Sequence, residues 1–578
     1  MKKLNKNDKH RIFLLIGSLI FLSISLTFLY FDRNQSYYKY ERIQFESGNA
    51  ILYANLYYPV KQLSFQKKHP LIISAHGLGS QRDLDLRIPV EFTKRGFFVA
   101  TIDYQGHGES GGHLLNIDPK TGIPALAEDC SNLLNMIEKM PVFNRFINSS
   151  QIGLFGHSLG GMVALISGAL DDRFSVTVAW SAPVWIDLNR LDISNDHIFY
   201  DYMPIHLINK THPKNLLIIH HIHDEVVPFT QNALVIKNLT SCKLIRINES
   251  LLFGGHSLLS DYALEKTINW YELKFFNSTT INGPIHFSYL INYILIGISL
   301  SAIFLTTLSI IFFSAKYFLI FKERQDLNIK QYNIIRGKRT IKKIKKKKSC
   351  YIIKIFGFSF AFIFIWFLFE VLFGLSGLFI APSIIIALYF IFNIKRIIIW
   401  FKQEEMYYKL KHQLICQCEK YVLAYSFLSI GIFLALYMIF SITYPFAFFF
   451  PSNPIYYLFT FTIYPFYLSF EIFYRKVIYP LFSFLKSYKT KTIIIILLII
   501  FNQAIIMILT SQLFLVAAIF ATFLISLTVM ILNTLIYEKT GKISSVLISS
   551  FIIIQIFFGS AVSTVFGIGS ILRLFVRF

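Results

Sequence analysis

Cysteine is scarce in this chain: Cys130, Cys242, Cys350, Cys416 and Cys418 are the only five in 578 residues. A disulfide between Cys130 and Cys242 stays open but has no support in their spacing, and Cys416-x-Cys418 alone is too weak a pattern to imply a metal. Acidic residues are scarce as well, 33 Asp and Glu against 56 Lys and Arg, for a formal charge of +23. The imbalance is local. Residues 32–286 hold 22 basic and 24 acidic side chains, whereas 287–578 hold 29 and 8. The positive charge therefore belongs to the C-terminal half and the N-terminal tail, which excludes reading it as a nucleic-acid surface. That half also lacks any legible repeat, metal signature or phosphate-binding loop.

Long apolar runs are what the sequence has in excess, with 54% hydrophobic residues and 60 phenylalanines. Lys2, Lys3, Lys6, Lys9 and Arg11 precede Ile12 to Phe31, a run of 20 almost uncharged residues. That is long enough to span a bilayer and longer than the core of a cleavable signal, so residues 1–31 read as a basic cytoplasmic tail and a signal anchor. Further spans are expected near 288–313, 352–372, 375–393, 421–449, 455–474, 493–511, 513–535 and 543–566. With the anchor that makes nine, or eight if the last is re-entrant around Gly559 to Gly569. The links at 316–348, 395–420 and 475–491 are rich in Lys and Arg, whereas Phe450-Pro451-Ser452-Asn453-Pro454 on the opposite side is uncharged. The positive-inside rule then puts residues 32–286 on the extracytoplasmic face of a multi-pass membrane protein. Arg573 and Arg577 count against that pattern. Sequons at Asn34, Asn148, Asn209, Asn238, Asn248 and Asn277 all fall within the same region. Glu370 and Glu471 lie inside apolar runs, and Glu471, four residues before Arg475, reads as snorkelling or locally paired.

Between the anchor and the later spans stands Gly156-His157-Ser158-Leu159-Gly160-Gly161, preceded by the apolar Gln151 to Phe155 and followed by Met162 to Ala169. This is Gly-x-Ser-x-Gly between a strand and a helix. A serine on so tight a turn needs small residues two before and two after it, where strand and helix pass closely. Ser158 would then stand clear of the sheet, with the Leu159 amide opening the helix behind it.

Four other stretches point the same way. Pro70 to Ala75 is an apolar strand ending in His76-Gly77-Leu78-Gly79, where the Leu78 amide can face Ser158. Phe97 to Asp103 runs into the glycine-rich Tyr104 to Gly111. Asn215 to Ile222 is a strand ending at Asp224-Glu225-Val226-Val227-Pro228, and Phe253-Gly254-Gly255-His256-Ser257 places a histidine on a glycine-rich loop. His221 and His223 alternate onto one strand face, which reads as strand-end packing before a metal pair.

In the order Ser158, Asp224, His256, residues 40–276 resemble the α/β-hydrolases, the broad group of esterases, dienelactone-hydrolase-like enzymes, monoacylglycerol lipases and prolyl-oligopeptidase-like serine peptidases. The resemblance implies a doubly wound, mostly parallel sheet in residues 32–286. Strands are expected at about 41–47, 51–58, 71–75, 97–102, 151–155, 174–180, 216–222 and 243–248. By position, Ser158 matches the nucleophile, His256 the general base and Asp224 the acid, with Glu225 as the alternative acid. Leu78 and Leu159 match the oxyanion amides. His221 departs from the family, whose members usually carry a glycine there. Ala182 to Pro213, with Trp185, Tyr200, Tyr202 and Met203, is a candidate lid or pocket, and its aromatics serve equally well as core packing.

These residues imply an acyl-enzyme mechanism on carboxylic esters, whether small or lipid-derived, without metal or cofactor. A serine peptidase of the prolyl-oligopeptidase kind uses the same groups and is the alternative. A transporter or scaffold bearing an inactive hydrolase-like appendage is the alternative from outside the enzyme class, because the spans outnumber what anchoring needs. The expected partners are an acyl ester, lipid or peptide substrate and membrane lipid; oligomeric state is not legible.

Overall fold

A computed structural model describes residues 6–31, 39–60, 67–186 apart from 79, 83–84 and 115, 197–278 apart from 252–254, 285, 288–314, 353–355, 357–365, 391, 420–443, 464, 467–510 apart from 483–484 and 486, and 516–553. It divides into two compact units, one built on Ser25–Gly297 and the other on Met1–Ile24, Ile298–Phe440 and Asn453–Ala561.

In chain order the elements are α1 (Lys6–Phe31), β1 (Lys39–Ser47), β2 (Ala50–Tyr58), β3 (His69–Ala75), α2 (Arg87–Lys94), β4 (Phe98–Asp103), α3 (Ala125–Lys139), α4 (Pro141–Phe146), β5 (Ile147–His157) and α5 (Leu159–Leu170). There follow β6 (Val176–Trp180), α6 (Pro204–Leu207), β7 (Leu216–His221), α7 (Ala233–Leu239), β8 (Lys243–Ile247), α8 (Asp261–Phe276) and α9 (Ser288–Ser314). All eight expected strands are present, within a few residues of their expected bounds. They form one sheet in the order β1-β2-β4-β3-β5-β6-β7-β8. The β1–β2 and β2–β4 pairs are antiparallel, and every pair from β4 onward is parallel.

The central strands are buried on both faces, which is why they read as unbroken apolar runs rather than alternating ones. Leu71, Ile73 and Ala75 of β3 pack with Leu154 of β5, Leu126 and Leu133 of α3, and Met162 and Ile166 of α5. Phe92 and Phe97 meet edge-on, and Phe92 meets Tyr271 of α8 in the same way. Cys130 sits in the cluster containing α3, and Cys242 in a separate cluster with Ile218 and Ile236. Both are free, buried thiols. The disulfide left open by the sequence does not form, because α3 packs beside β1 and α5 whereas Cys242 precedes β8 at the opposite end of the sheet.

Three helical stretches among the described residues are long and apolar enough to cross a membrane: Ile12–Phe31, Tyr293–Ser314 and Val422–Phe440. Helices at Tyr488–Thr510 and Val516–Thr540 coincide with two further expected spans. The expected span at 375–393 lies outside the described residues except for position 391, as do the basic link 316–348, Glu370, Cys350, Cys416, Cys418 and the end of the chain from 554.

Glu471 does not snorkel. It is buried and accepts from Arg475 Nε at 3.1 Å and from Asn533 Nδ2 at 2.7 Å. Asn533 also donates to Ser550 Oγ at 2.6 Å and accepts from Ser549, while Arg475 Nη2 reaches the Met530 carbonyl at 3.2 Å. Arg475 lies in the π-helical stretch Phe473–Ile478. A buried pair contributes little net stability, yet removing one partner leaves the other charge uncompensated. Glu471→Ala alone is expected to lower stability by about 3 kcal/mol or more, and the double change Glu471→Leu with Arg475→Leu to recover most of it. Thermal melts of the full chain in detergent check this; equal losses in both variants would refute it.

Candidate active site

Ser158 follows β5 at the middle of the sheet and caps α5 with φ 55° and ψ −120°. This is a positive-φ position that a residue with a side chain occupies only under strain. Strand and helix turn so sharply that a Cβ on Gly156 would collide with the carbonyl of Gly160. One on Gly160 would in turn collide with the carbonyls of Ala75 and His76. The two glycines therefore make the turn possible by close approach.

The Ser158 hydroxyl lies 2.9 Å from His256 Nε2. On the far side of the ring, Nδ1 lies 2.9 and 3.0 Å from the two oxygens of Asp224. An ionised carboxylate only accepts, so Nδ1 carries the imidazole proton and Nε2 is left to accept from the serine. Asp224 is further held by the amides of Val226 at 3.0 Å and Val227 at 2.8 Å. Burial alone would raise its pKa; the hydrogen bonds from His220 and His256, the His256 charge and the Val227 amide outweigh burial and hold the carboxyl far below the usual carboxylate range.

Glu225, the alternative acid, does not face the imidazole. Its carboxylate accepts from the amides of Gly255 at 3.0 Å and His256 at 3.3 Å, and so fixes the loop that carries the histidine. The sequence could not separate two adjacent acids; the turn after β7 sends one side chain to the ring and the other to the backbone. His221, the departure from the family pattern, packs its ring where a Cβ on Gly255 would stand. Its Nδ1 accepts from the His223 amide and its Nε2 donates to the Glu249 carbonyl. Both ring nitrogens are thus engaged with backbone. No group of three potential metal ligands occurs among the described residues.

Leu78 follows β3 and is half exposed, while Leu159 is the buried first residue of α5. A Cβ on Gly77 would come within 3.4 Å of the Ser158 Cβ, so the Gly77-Leu78 turn abuts the serine. That turn is braced from below. Tyr104 donates to the His76 carbonyl at 2.8 Å and stacks on its ring. Asp103, fully buried at the end of β4, accepts from the amide of Arg82 at 2.7 Å and from its guanidinium, which also grips Glu109. The run Asp103 to Gly111, which had a place in the sequence pattern but no role, is this brace.

Two histidines that the sequence left without a role also touch the site. His157 donates from Nε2 to the carbonyl of His256 at 2.7 Å. Burial, then the nearby His256 charge, depresses its pKa to about 4. His220 lies fully buried beneath Asp224, with Nε2 donating to the Val227 carbonyl at 2.8 Å and 3.3 Å from the carboxylate. Such roles depend on side-chain direction, and only the position of His157 inside the serine motif hinted at one. Of the candidate lid, Phe199 and Met203 pack into the core, Tyr202 packs against it, and Trp185 and Tyr200 are exposed; residues 187–196 lie outside the described set.

Comparison with known proteins bears on the fold. Residues 66–244 match a hydrolase family described as serine aminopeptidase, S33. An uncharacterized 31.7 kDa protein in the traX-finO intergenic region of Escherichia coli is 37% identical over 114 residues, which is 19% of this chain and 37% of that protein. Platelet-activating factor acetylhydrolase of Cavia porcellus is 27% identical over 183 residues, 24% of this chain and 42% of that protein. The chain therefore spans about two fifths of the length of the curated relatives it matches. Acylaminoacyl peptidase of Pyrococcus horikoshii aligns with a TM-score of 0.33 and 16% identity, covering 41% of this chain and 42% of that structure. The sheet order and the family match together give an α/β-hydrolase fold with a mostly parallel sheet, a fold of serine hydrolases.

The buried histidines make this unit acid-sensitive. Burial depresses the pKa of His76 to about 4 and of His107 to about 3, as it does that of His157. All three lie below the ordinary histidine value, so the unfolded chain binds protons that the folded chain excludes. Their contribution is complete above about pH 6.5 and is lost as pH falls toward 4, by about 3 kcal/mol for a single such group at the limit. Asp224 acts in the same direction below the ordinary carboxylate range. We expect the full chain, heated briefly at pH 5 and returned to pH 7.5, to lose fluorophosphonate labelling at a lower temperature than when heated at pH 7.5. Identical temperatures would contradict the neutral, buried state of these rings.

Proposed function

We propose that residues 32–286 are a membrane-held serine hydrolase that cleaves carboxylic esters through an acyl-enzyme. The reading is carried by one observation, the hydrogen-bonded series Asp224–His256–Ser158 ending on a serine at a strained strand-to-helix turn. In this reading Ser158 Oγ attacks the ester carbonyl carbon as His256 Nε2 takes its proton. The amides of Leu78 and Leu159 receive the developing oxyanion, a task worth roughly 3 kcal/mol per donor. The bond to the alcohol then breaks, with the proton returned from His256, and water hydrolyses the acyl-serine by the reverse proton path. Asp224 keeps the imidazole in the required tautomer and stabilises its cation. The two flanking apolar helices are the anchors, and the sequons and charge pattern favour the extracytoplasmic face.

A peptidase reading is favoured by the description of the matched family. An aminopeptidase, however, must hold a free ammonium with an acid beside the scissile bond. The described acids near Ser158 are otherwise committed: Asp224 to His256, Glu225 to backbone amides and Asp85 to Arg87. This favours the ester.

Fluorophosphonate is expected to label the wild type and not Ser158→Ala. Asp224→Asn is expected to reduce kcat/KM on short p-nitrophenyl esters by about 10³-fold or more, and Glu225→Gln by far less. Faster turnover of aminoacyl amides than of esters would select the peptidase. No labelling of folded protein would overturn the enzyme reading and favour a transporter or scaffold with a hydrolase-like appendage.

A further inference from the structure

We propose that the active-site edge of the sheet rests on the bilayer surface where α9 begins, and that the substrate is an acyl ester resident in that bilayer. The substrate half of this inference rests on the hydrolase reading above; the placement does not.

The strands from β3 to β8 are parallel, so the loops that follow them open on the same edge as Ser158. These loops present large apolar side chains to solvent. Leu78 follows β3, Trp185 follows β6, Val226 follows β7, and Leu259 and Tyr262 follow β8; all five are between 44% and 60% exposed. Single exposed apolar residues are ordinary, but five of them along the edge that carries Ser158 mark a surface that meets something apolar. The opposite edge is different. There Asp171 pairs with Arg173, and Asp172 pairs with Lys214 and His212.

The same edge is tied to a helix long enough to cross a membrane. Tyr293, in the second turn of α9 and the first residue of its apolar span, accepts through its hydroxyl from the Leu86 amide at 3.2 Å. Leu86 caps α2, directly after the loop that carries Leu78. Arg87 next to it chelates Asp85 and donates from Nη1 to the Leu258 carbonyl at 2.8 Å, two residues beyond His256. The start of the span is therefore joined, through two hydrogen bonds and the peptide link between Leu86 and Arg87, to the loop bearing His256 and Leu259. Leu290, Ile291 and Ile294 around it are exposed. A tyrosine at the start of such a span belongs at the level of the lipid headgroups. That level then coincides with the apolar mouth, and the mouth's occupant is the bilayer. A water-soluble ester would have to enter between rim and membrane, whereas the carbonyl of an acyl lipid lies at the headgroup boundary, within reach of a surface immersed by about 5–10 Å.

The test uses the full chain in phosphatidylcholine vesicles, with Cys350, Cys416 and Cys418 changed to Ser and one cysteine introduced for an environment-sensitive fluorophore. At Leu259→Cys the probe is expected to be blue-shifted and quenched at least threefold more by shallow doxyl lipids than at Lys214→Cys on the opposite edge. Equal, water-like spectra at both positions would overturn the placement whether or not the protein is an enzyme. For the substrate, Leu259→Asp and Tyr262→Asp are expected to keep hydrolysis of soluble p-nitrophenyl butyrate within twofold and to lose at least tenfold on a fluorogenic diacylglycerol embedded in the vesicles. Equal effects on the two esters, or a wild type active only on the soluble one, would overturn the bilayer substrate. A wild type inactive on both and unlabelled by fluorophosphonate would instead fail the hydrolase reading and with it the substrate half, leaving the fluorophore to decide the placement.

Discussion

The close passage of β5 and α5 at Gly156 and Gly160 is the constraint on which the hydrolase unit depends. Backbone carbonyls occupy the space that any Cβ would need at either position. The turn between them has Ser158 at its apex and forces it to φ 55°. Such strain persists only where the surroundings over-determine it. Here β3 and β6 flank the strand, with Ala75 registered against Gly156 and Trp180 against His157. The Trp180 carbonyl also takes the Ser158 amide at 2.8 Å. Packing on both sides holds a geometry that local propensity would reject.

Two buried carboxylates then complete the edge by different means. Asp103 meets the Arg82 guanidinium and serves architecture, pinning the loop after β3 to the loop after β4. Asp224 meets two imidazoles and two amides, and the nearer imidazole is the ring that faces Ser158. Burying either acid without those donors would cost several kcal/mol. The donors therefore explain why both are found beneath the surface, and the identity of the donor separates a structural brace from the carboxylate proposed to serve the Ser158 imidazole.

The strands and the serine turn were legible because their signals are local. Central strands are short apolar runs between Gly, Pro and Asn breakers, and the turn needs glycines at fixed offsets from Ser158. The choice between Asp224 and Glu225 was not legible, because adjacent residues on a turn diverge by an angle that sequence does not carry. His157 and His220 were missed for a related reason: each acts through a carbonyl or carboxylate brought near by the fold. The same limit divides the polar cluster of the C-terminal unit. Glu471 and Arg475 are four apart and readable as a helical pair, whereas Asn533 is 62 residues from Glu471 and its hydrogen bond exists only once the helices pack.

That cluster bears on why the chain carries so much apolar helix. A tether needs one span, and lipid-facing helices need no polar residue between them. Here Glu471, Arg475, Asn533, Ser549 and Ser550 are buried together, at a desolvation cost that apolar side chains of the same size would avoid. Their hydrogen bonds are directional, so they fix the rotation of the helices that bear them in a way that interchangeable Ile, Leu and Phe contacts do not. Apolar side chains supply the bulk of the packing, and the polar contacts select one arrangement from the many that such bulk permits. A helical unit built only for anchoring has no use for that selection. The buried polar cluster is thus the physical ground for treating the C-terminal helices as a specific assembly in their own right.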